Sequence, residues 1–201
     1  MRILIYGSTH LTQLCCEHIE RETDHILVGY VPNRKRPTVT GQMRLPDIHL
    51  EAALSTRHDV ALSIQYDAKI DGEWRAFNVH TGLLPEWGGV DILYHTLHAG
   101  AHEQGATFHV VTDRFDHGPI VSRISYPVLP GDTIVTLYQR LAAIMPAFVV
   151  AGLRLVEIIG LDSVDQCASV EPTLYARGMV DEDDLPGYAG TLTELRRRYE
   201  R

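Results

Sequence analysis

The hydrophobic pattern at the start of the chain predicts a strand, a helix and a second strand in close succession. Residues 2–6 form a short apolar run, and residues 26–31 form another that ends at Pro32. Between them, apolar residues recur at the three- and four-residue spacing of a helix, which Ser8 or Thr9 is placed to cap. Such a βαβ unit predicts two parallel strands in one sheet.

The α/β pattern continues to about residue 160 and weakens beyond it. The further predicted elements are strands at 60–64, 75–79, 106–112 and 120–126, and helices at 90–100 and 132–158. Asp132 is the expected cap of the last helix. We therefore predict an α/β, Rossmann-like fold with a mostly parallel, mixed sheet and helices on both faces. Residues 1–160 form the main domain, and 161–201 form an appendage packed on it, with a helix near 191–200.

Composition narrows the classes of protein that fit. The chain has 201 residues, 45% of them apolar, which suits one hydrophobic core. Its net charge is −8, and its basic clusters are confined to 34–36 and 196–198, so nucleic-acid binding is not expected. No uninterrupted apolar run approaches the ~18–20 residues of a membrane span. With no evident signal peptide and three cysteines that lack C-x-x-C spacing, a reducing cytoplasmic location is expected.

Several common catalytic motifs are missing from the sequence. No G-x-G-x-x-G follows the first strand, and neither a P-loop lysine motif nor a G-x-S-x-G turn occurs anywhere. His95, His98 and His102 have helical spacing, but no carboxylate or thiol cluster accompanies them, so no metal site is predicted. The usual dinucleotide, nucleoside-triphosphate and serine-hydrolase functions are therefore disfavoured.

The most informative polar residues follow the fourth predicted strand. Asn78 and His80 are separated by one residue, so their side chains point to the same side of a strand. Strands of open α/β sheets deliver ligand-binding groups just beyond their carboxyl ends. Farther along, Asp116 lies in a Gly-Pro turn between two predicted strands.

Three segments resemble motifs of the folate-dependent formyltransferase family. Residues 78–89 are similar to N-x-H-x-x-L-L-P-x-x-x-G, residues 105–109 to G-x-T-x-H, and residues 116–120 to D-x-G-P-I. Looser similarity extends from residue 1 to about 158. The resemblance implies a Rossmann-like catalytic domain and 10-formyltetrahydrofolate as the formyl donor. It leaves room for a homodimer.

The resemblance assigns catalysis to Asn78, His80 and Asp116, and the chemistry asks for the same residue types. When an amine attacks the formyl carbon, negative charge develops on the carbonyl oxygen, to which an amide N–H can donate. An imidazole can donate to the same oxygen and then move a proton to the leaving folate nitrogen. Asp116 is expected to hold the tautomer of His80 and to help accept the amine proton.

The resemblance also suggests binding residues. A folate-binding set is expected in the loop after the third strand and around the Leu-Leu-Pro turn, comprising Gln65, Tyr66, Asp67, Ile70, Leu83, Leu84 and Ile120. An acceptor-binding set is expected after the first strand, comprising Gly7, Ser8, Thr9 and His10. His117 is interpreted either as an inert surface residue or as a substrate contact.

The acceptor is a small-molecule amine, and the sequence leaves its identity open. A nucleotide-linked aminosugar is favoured, because Trp87-Gly88-Gly89 replaces the Arg-Gly of many relatives and Gly7-Ser8-Thr9 only partly matches the phosphate loop of glycinamide ribonucleotide formyltransferases. Glycinamide ribonucleotide, a purine intermediate, remains an alternative acceptor. Formyltetrahydrofolate hydrolysis is an alternative reaction. A catalytically silent folate- or nucleotide-binding module is the alternative from a different class.

Overall fold

The computed structural model describes residues 1–34, 43–70, 72 and 75–176. Six strands form the main sheet: β1 (Arg2–Tyr6), β2 (Ile26–Val31), β3 (Val60–Ile64), β4 (Arg75–His80), β6 (Glu103–Val110) and β7 (Ile120–Pro127). Two short strands, β5 (Gly88–Gly89) and β8 (Leu174–Tyr175), pair with each other. The helices are α1 (His10–Glu22), α2 (Leu50–Ala53), α3 (Ile92–His98) and α4 (Ile134–Ile159), and a 3₁₀ turn spans Val164–Gln166.

The main sheet has the order β2-β1-β3-β4-β6-β7. Its first four strands are parallel, whereas β4 pairs antiparallel with β6 and β6 pairs antiparallel with β7. The predicted mixed, mostly parallel α/β sheet is confirmed. The parallel part places the carboxyl ends of β1, β3 and β4 at one edge, where ligand sites of such sheets lie.

Strand β1 shows how the two faces of the sheet are covered. Ile3 and Ile5 belong to the large core beneath α1 and α4. Leu4 and Tyr6 point the other way, into a smaller cluster that includes Ala53 of α2. Because side chains alternate along a strand, a strand buried on both faces is a continuous apolar run.

The helix caps agree with the prediction at one helix and correct it at the other. Thr9 caps α1 and forms a capping box with Thr12. Helix α4 is capped by Thr133, whose side chain accepts from the backbone of Thr136, and not by the expected Asp132. The carboxylate of Asp132 instead binds Arg140 and the backbone N–H of Leu129.

Helix α4 contains charged residues and so has no uninterrupted apolar run of membrane-spanning length, but it meets a looser criterion. Among the described residues it is long and apolar enough to cross a bilayer by length and composition, with a mean hydropathy of 2.0 over its best window. Of that window, 39% is buried in the structure. Leu141, Met145 and Leu153 are wholly buried against the sheet and α1. A core helix passes the same test, so the finding is weak evidence for a membrane segment.

The chain after α4 returns to the main sheet before the described part ends. Val164 is wholly buried in the large core, and Ala168 accepts a hydrogen bond from the backbone of Ile120. The helix predicted near 191–200 lies outside the described residues. The division into a domain of residues 1–160 and an appendage of 161–201 stays a prediction.

Candidate active site

Two neighbouring strands bring the central polar side chains together. Asn78 and His80 lie two residues apart at the end of β4, and Asn78 is the direct cross-strand partner of His109 on β6. Side chains of directly opposed residues share a face of the sheet. The Nδ2 atom of Asn78 is 3.1 Å from Nε2 of His109. His80 and His109 are both buried, 7% and 2% exposed.

The ring of His80 is fixed by a backbone carbonyl. Its Nε2 atom lies 2.7 Å from the carbonyl oxygen of Trp87, which only accepts, so Nε2 carries the hydrogen. Gly82 makes this approach achievable, since a Cβ there would collide with the carbonyl of Trp87 and crowd the ring of His80. The hydrogen on Nε2 is thus held by the Trp87 carbonyl, and the role expected of Asp116 toward His80 stays a prediction. The carboxylate lies 3.5 Å from the other ring nitrogen, Nδ1.

Asp116 enters the site on the loop between β6 and β7. Its φ of 59° lies in the left-handed region, an unfavourable conformation that surrounding contacts must maintain. Gly118 lets the loop come close to β6, because a Cβ there would collide with the carbonyl of Val110. One carboxylate oxygen accepts the backbone N–H of Gly89 at 2.7 Å. The other, Oδ1, is 3.6 Å from Nε2 of His109.

The charge states follow from burial and these contacts. Burial alone would raise the pKa of Asp116, but hydrogen bonding from a His109 ring that carries hydrogens on both nitrogens, the charge of a protonated His80 and the Gly89 N–H together lower it to about 2. Burial lowers the pKa of His80, and the nearby Asp116 carboxylate only partly opposes this effect. At neutral pH the pair is therefore an ionised carboxylate beside a neutral imidazole.

The Asp116 carboxylate and Nδ1 of His80 can together accept one proton. Because Nε2 of His80 holds its hydrogen on the Trp87 carbonyl, Nδ1 is bare and faces the Asp116 carboxylate across 3.5 Å. Two acceptors that face each other can hold a proton released by a reacting group. The amide of Asn78 adds a hydrogen-bond donor close by. We call Asn78, His80, His109 and Asp116 the catalytic cluster.

A short strand from the far end of the described chain supports the loop around the cluster. Strand β8 pairs with β5, and the N–H groups of Gly88 and Val90 donate to the carbonyls of Thr173 and Tyr175. The ring of Tyr175 lies between Trp87, at 5.1 Å, and His95, at 4.6 Å. The β5 loop thus receives its outer partner from residues 173–175.

A second polar group of residues closes the loop after β1. The carbonyl oxygen of the Asn33 side chain accepts from the backbone N–H of Ser8 at 2.7 Å and from its hydroxyl at 3.1 Å. The Asn33 amide N–H donates to the backbone carbonyl of Gln65, whose side-chain oxygen accepts from the Thr9 hydroxyl at 2.8 Å. We call Ser8, Thr9, Asn33 and Gln65 the loop network.

The predicted acceptor-binding residues lie next to this loop network. Gly7 donates its N–H to the carbonyl of Val31, and His10 is the first residue of α1. The structure thus joins the predicted acceptor loop to Gln65 of the predicted folate loop. Neither set is tested by these contacts, and both stay predictions.

The other predicted folate residues are dispersed. Tyr66 packs edge-on against Tyr6, and Ile70 joins the same small cluster. Asp67 accepts the backbone N–H of Arg34. The remaining three lie near the Leu-Leu-Pro turn and β7, with Leu84 wholly buried and Leu83 and Ile120 partly buried.

The remaining histidines do not assemble a metal centre in the part of the chain that is described. No group of three or more His, Cys, Asp or Glu side chains among the described residues could hold a metal ion. His95 is buried and packs against Tyr175. His117 lies next to Asp116 and contacts Glu171, with Nε2 3.2 Å from a carboxylate oxygen that also pairs with Arg114.

Sequence reasoning missed three contributors to the catalytic cluster. His109 was noted only as part of a motif, and its contacts depend on the β4–β6 register. The Trp87 carbonyl and the Gly89 N–H are backbone groups, which leave no trace in residue identity. A signal for His109 was nevertheless present, since a second histidine followed a strand predicted to lie near the first.

The chain is similar to a family model and to several known proteins. A family model described as formyl transferase matches residues 71–152, a range that holds the whole catalytic cluster. A trifunctional purine biosynthetic protein adenosine-3 of Drosophila pseudoobscura pseudoobscura is 41% identical over 71 residues, covering 34% of this chain and 5% of that protein. A methionyl-tRNA formyltransferase of Pseudomonas paraeruginosa is 26% identical over 96% of this chain and 66% of its own length.

A solved structure supports the fold. An N-formyltransferase from Helicobacter canadensis, in complex with folinic acid and dTDP-3-aminofucose, superposes with a TM-score of 0.72 at 17% identity. The superposition covers 89% of this chain and 72% of that one. The chain spans less than two thirds of the length of the trifunctional protein and of the methionyl-tRNA formyltransferase.

Proposed function

We propose that this chain, which a formyl transferase family model matches over residues 71–152, moves a formyl group from 10-formyltetrahydrofolate to the primary amine of a small acceptor. The observation that carries the proposal is the convergence of Asn78, His80 and Asp116. The ionised carboxylate of Asp116 lies 3.5 Å from the bare Nδ1 of a neutral His80, with the Asn78 amide on the same strand.

The proposed reaction uses each of these groups once. The amine nitrogen forms a bond to the formyl carbon, and negative charge develops on the formyl oxygen, to which an N–H of Asn78 donates. The amine proton passes to the acceptor pair formed by Asp116 and Nδ1 of His80. The bond between the formyl carbon and the folate nitrogen then breaks, and His80 returns the proton to that nitrogen. Formylated amine and tetrahydrofolate are the products.

We propose a nucleotide-linked aminosugar as the acceptor. The loop network supports this choice over a phosphate bound after β1. Helix N-termini and preceding loops bind phosphate through free backbone N–H groups, but Asn33 already occupies the N–H and the hydroxyl of Ser8. The Helicobacter canadensis relative was crystallised with an aminosugar nucleotide. The folate-binding and acceptor-binding residues predicted from the sequence belong to the same proposal.

The test is a panel of amines. The protein is mixed with 10-formyltetrahydrofolate and, in separate reactions, a dTDP-linked aminosugar, glycinamide ribonucleotide and methionyl-tRNA, and release of tetrahydrofolate is followed. The same aminosugar with its amine acetylated is the matched control. We expect acceleration by the free aminosugar alone.

Other results identify the alternatives. Release without any amine would indicate a hydrolase, and binding without release would indicate a silent folate-binding module. Acceleration by glycinamide ribonucleotide or methionyl-tRNA would contradict the aminosugar while keeping formyl transfer.

A further inference from the structure

His109 is the member of the catalytic cluster to which the proposed reaction gives no role. It lies at the point where the cluster is most enclosed, with a side chain that is 3% exposed. Its Nε2 atom is within 3.1 Å of the Asn78 amide and 3.6 Å of the Asp116 carboxylate. Buried polar side chains are held by their hydrogen bonds, so the partners of this ring indicate what it does.

The protonation pattern of the ring can be derived from its other side. Nδ1 of His109 lies 2.9 Å from the backbone carbonyl of Val110. A carbonyl oxygen only accepts, so Nδ1 carries the hydrogen, and in the neutral ring Nε2 is a bare acceptor. The tautomer of His109 is thus set by the backbone of its own strand.

A bare Nε2 determines which end of the Asn78 amide it can face. It accepts an N–H from Nδ2 at 3.1 Å, whereas the flipped amide would place the Oδ1 lone pairs against the ring lone pair. One N–H of Asn78 is therefore held by His109, and the second N–H on the same nitrogen is left to donate to the formyl oxygen. Flipping the amide would remove that donor from its place.

We propose that His109 is a positioning residue that fixes the amide orientation of Asn78 through its bare Nε2. The inference rests on the proposed formyl transfer. Asp116, whose Oδ1 lies 3.6 Å from the same Nε2, is the other side chain that faces this side of the ring.

Two substitutions separate positioning from mere packing. Gln places a polar atom near the position of Nε2, whereas Asn reaches only as far as Nδ1. We expect His109→Gln to keep kcat within about threefold of the wild type, because its amide oxygen can still accept from Asn78. We expect His109→Asn to lower kcat about 10- to 100-fold with little change in KM, since a donor is misplaced while binding is kept.

Equal losses of kcat in both variants, or wild-type kcat in His109→Asn, would overturn the proposal. Melting temperatures of both variants are recorded, and a role confined to packing would lower them together with kcat in parallel.

The side-chain amide resonances of Asn78 test the contact without any acceptor. They are assigned by their loss in Asn78→Ala. The expected result is a hydrogen-bonded amide proton in the wild type and in His109→Gln that shifts in His109→Asn; unchanged resonances would contradict the contact. If no amine accepts formyl but the resonances shift as expected, the proposed reaction fails while the predicted contact stands.

Discussion

The catalytic cluster and the loop network lie on the same sheet, yet their hydrogen bonding differs in kind. In the loop network, the donors of Ser8, Thr9 and Asn33 each have an acceptor, at 2.7–3.1 Å. In the catalytic cluster, the carboxylate of Asp116 faces imidazole nitrogens at 3.5 and 3.6 Å. The first is joined by short hydrogen bonds that tie its loops together, whereas the second keeps an open position for a proton.

The largest expected effect comes from removing the amide of the catalytic cluster. Asn78→Ala should reduce kcat for formyl transfer about 10²- to 10³-fold, because the developing negative charge loses its donor. Stability should change little by comparison, since Asn78 is only partly buried. Steady-state kinetics and thermal unfolding measure the two quantities. A variant with normal kcat would show that the cluster works without this amide.

Breaking the loop network should lower the stability of the fold and leave catalysis nearly unchanged. Asn33→Ala leaves the Ser8 N–H and the Gln65 carbonyl without their partner in a buried place, which should cost about 1–3 kcal/mol of unfolding free energy. The rate of the chemical step should be nearly unchanged. Denaturant unfolding and single-turnover kinetics provide the measurements, with Arg21→Ala on the exposed part of α1 as the control. A variant that loses kcat without losing stability would contradict the proposed difference between the catalytic cluster and the loop network.

A further effect is expected on the unfolding free energy at acidic pH. The pKa of Asp116 is about 2 in the fold against an ordinary 3.8, so its stabilising contribution is present above about pH 4 and disappears as pH falls toward 2. Asp116→Asn should remove about 2–3 kcal/mol of this pH-dependent stability. Denaturant unfolding at pH 6 and at steps between pH 4 and 2 gives the slope. An unchanged slope would mean that the carboxylate is not held ionised by its neighbours.

Two other groups help to interpret those titrations. Asp132, whose pKa is also lowered to about 2 by hydrogen bonding from Arg140, keeps titrating in the variant and serves as an internal reference. His80 has a lowered pKa because of burial, so the fold resists its protonation and loses stability as pH falls below about 6.5. That loss begins at a higher pH than the loss from Asp116.

The sequence was sufficient where local pattern determines structure. The runs at 2–6, 26–31 and 60–64 are strands with the predicted bounds, because each consists mainly of apolar residues. Strand β6 begins earlier than predicted, at Glu103, since polar residues open it and Gln104 is nevertheless wholly buried. Burial of a polar residue depends on partners elsewhere in the fold and cannot be inferred from local periodicity.

The site was predictable in its residues but not in its hydrogen bonds. Motif similarity pointed to Asn78, His80 and Asp116, which the structure brings together. The tautomer of His80 and the contacts of Asn33 were not predictable, because the first depends on a backbone carbonyl and the second on loops 25 residues apart. Cross-strand register, which places His109 beside Asn78, is likewise a property of the folded sheet.

The pairing of β8 with β5 has a consequence for folding during synthesis of the chain. A chain is made from its amino end, so Asn78, His80 and Asp116 all exist before Tyr175 is added. The loop that presents the Trp87 carbonyl and the Gly89 N–H lacks its outer partner until then. The β5 loop can therefore take its paired form only after residues 174–175 have been synthesised.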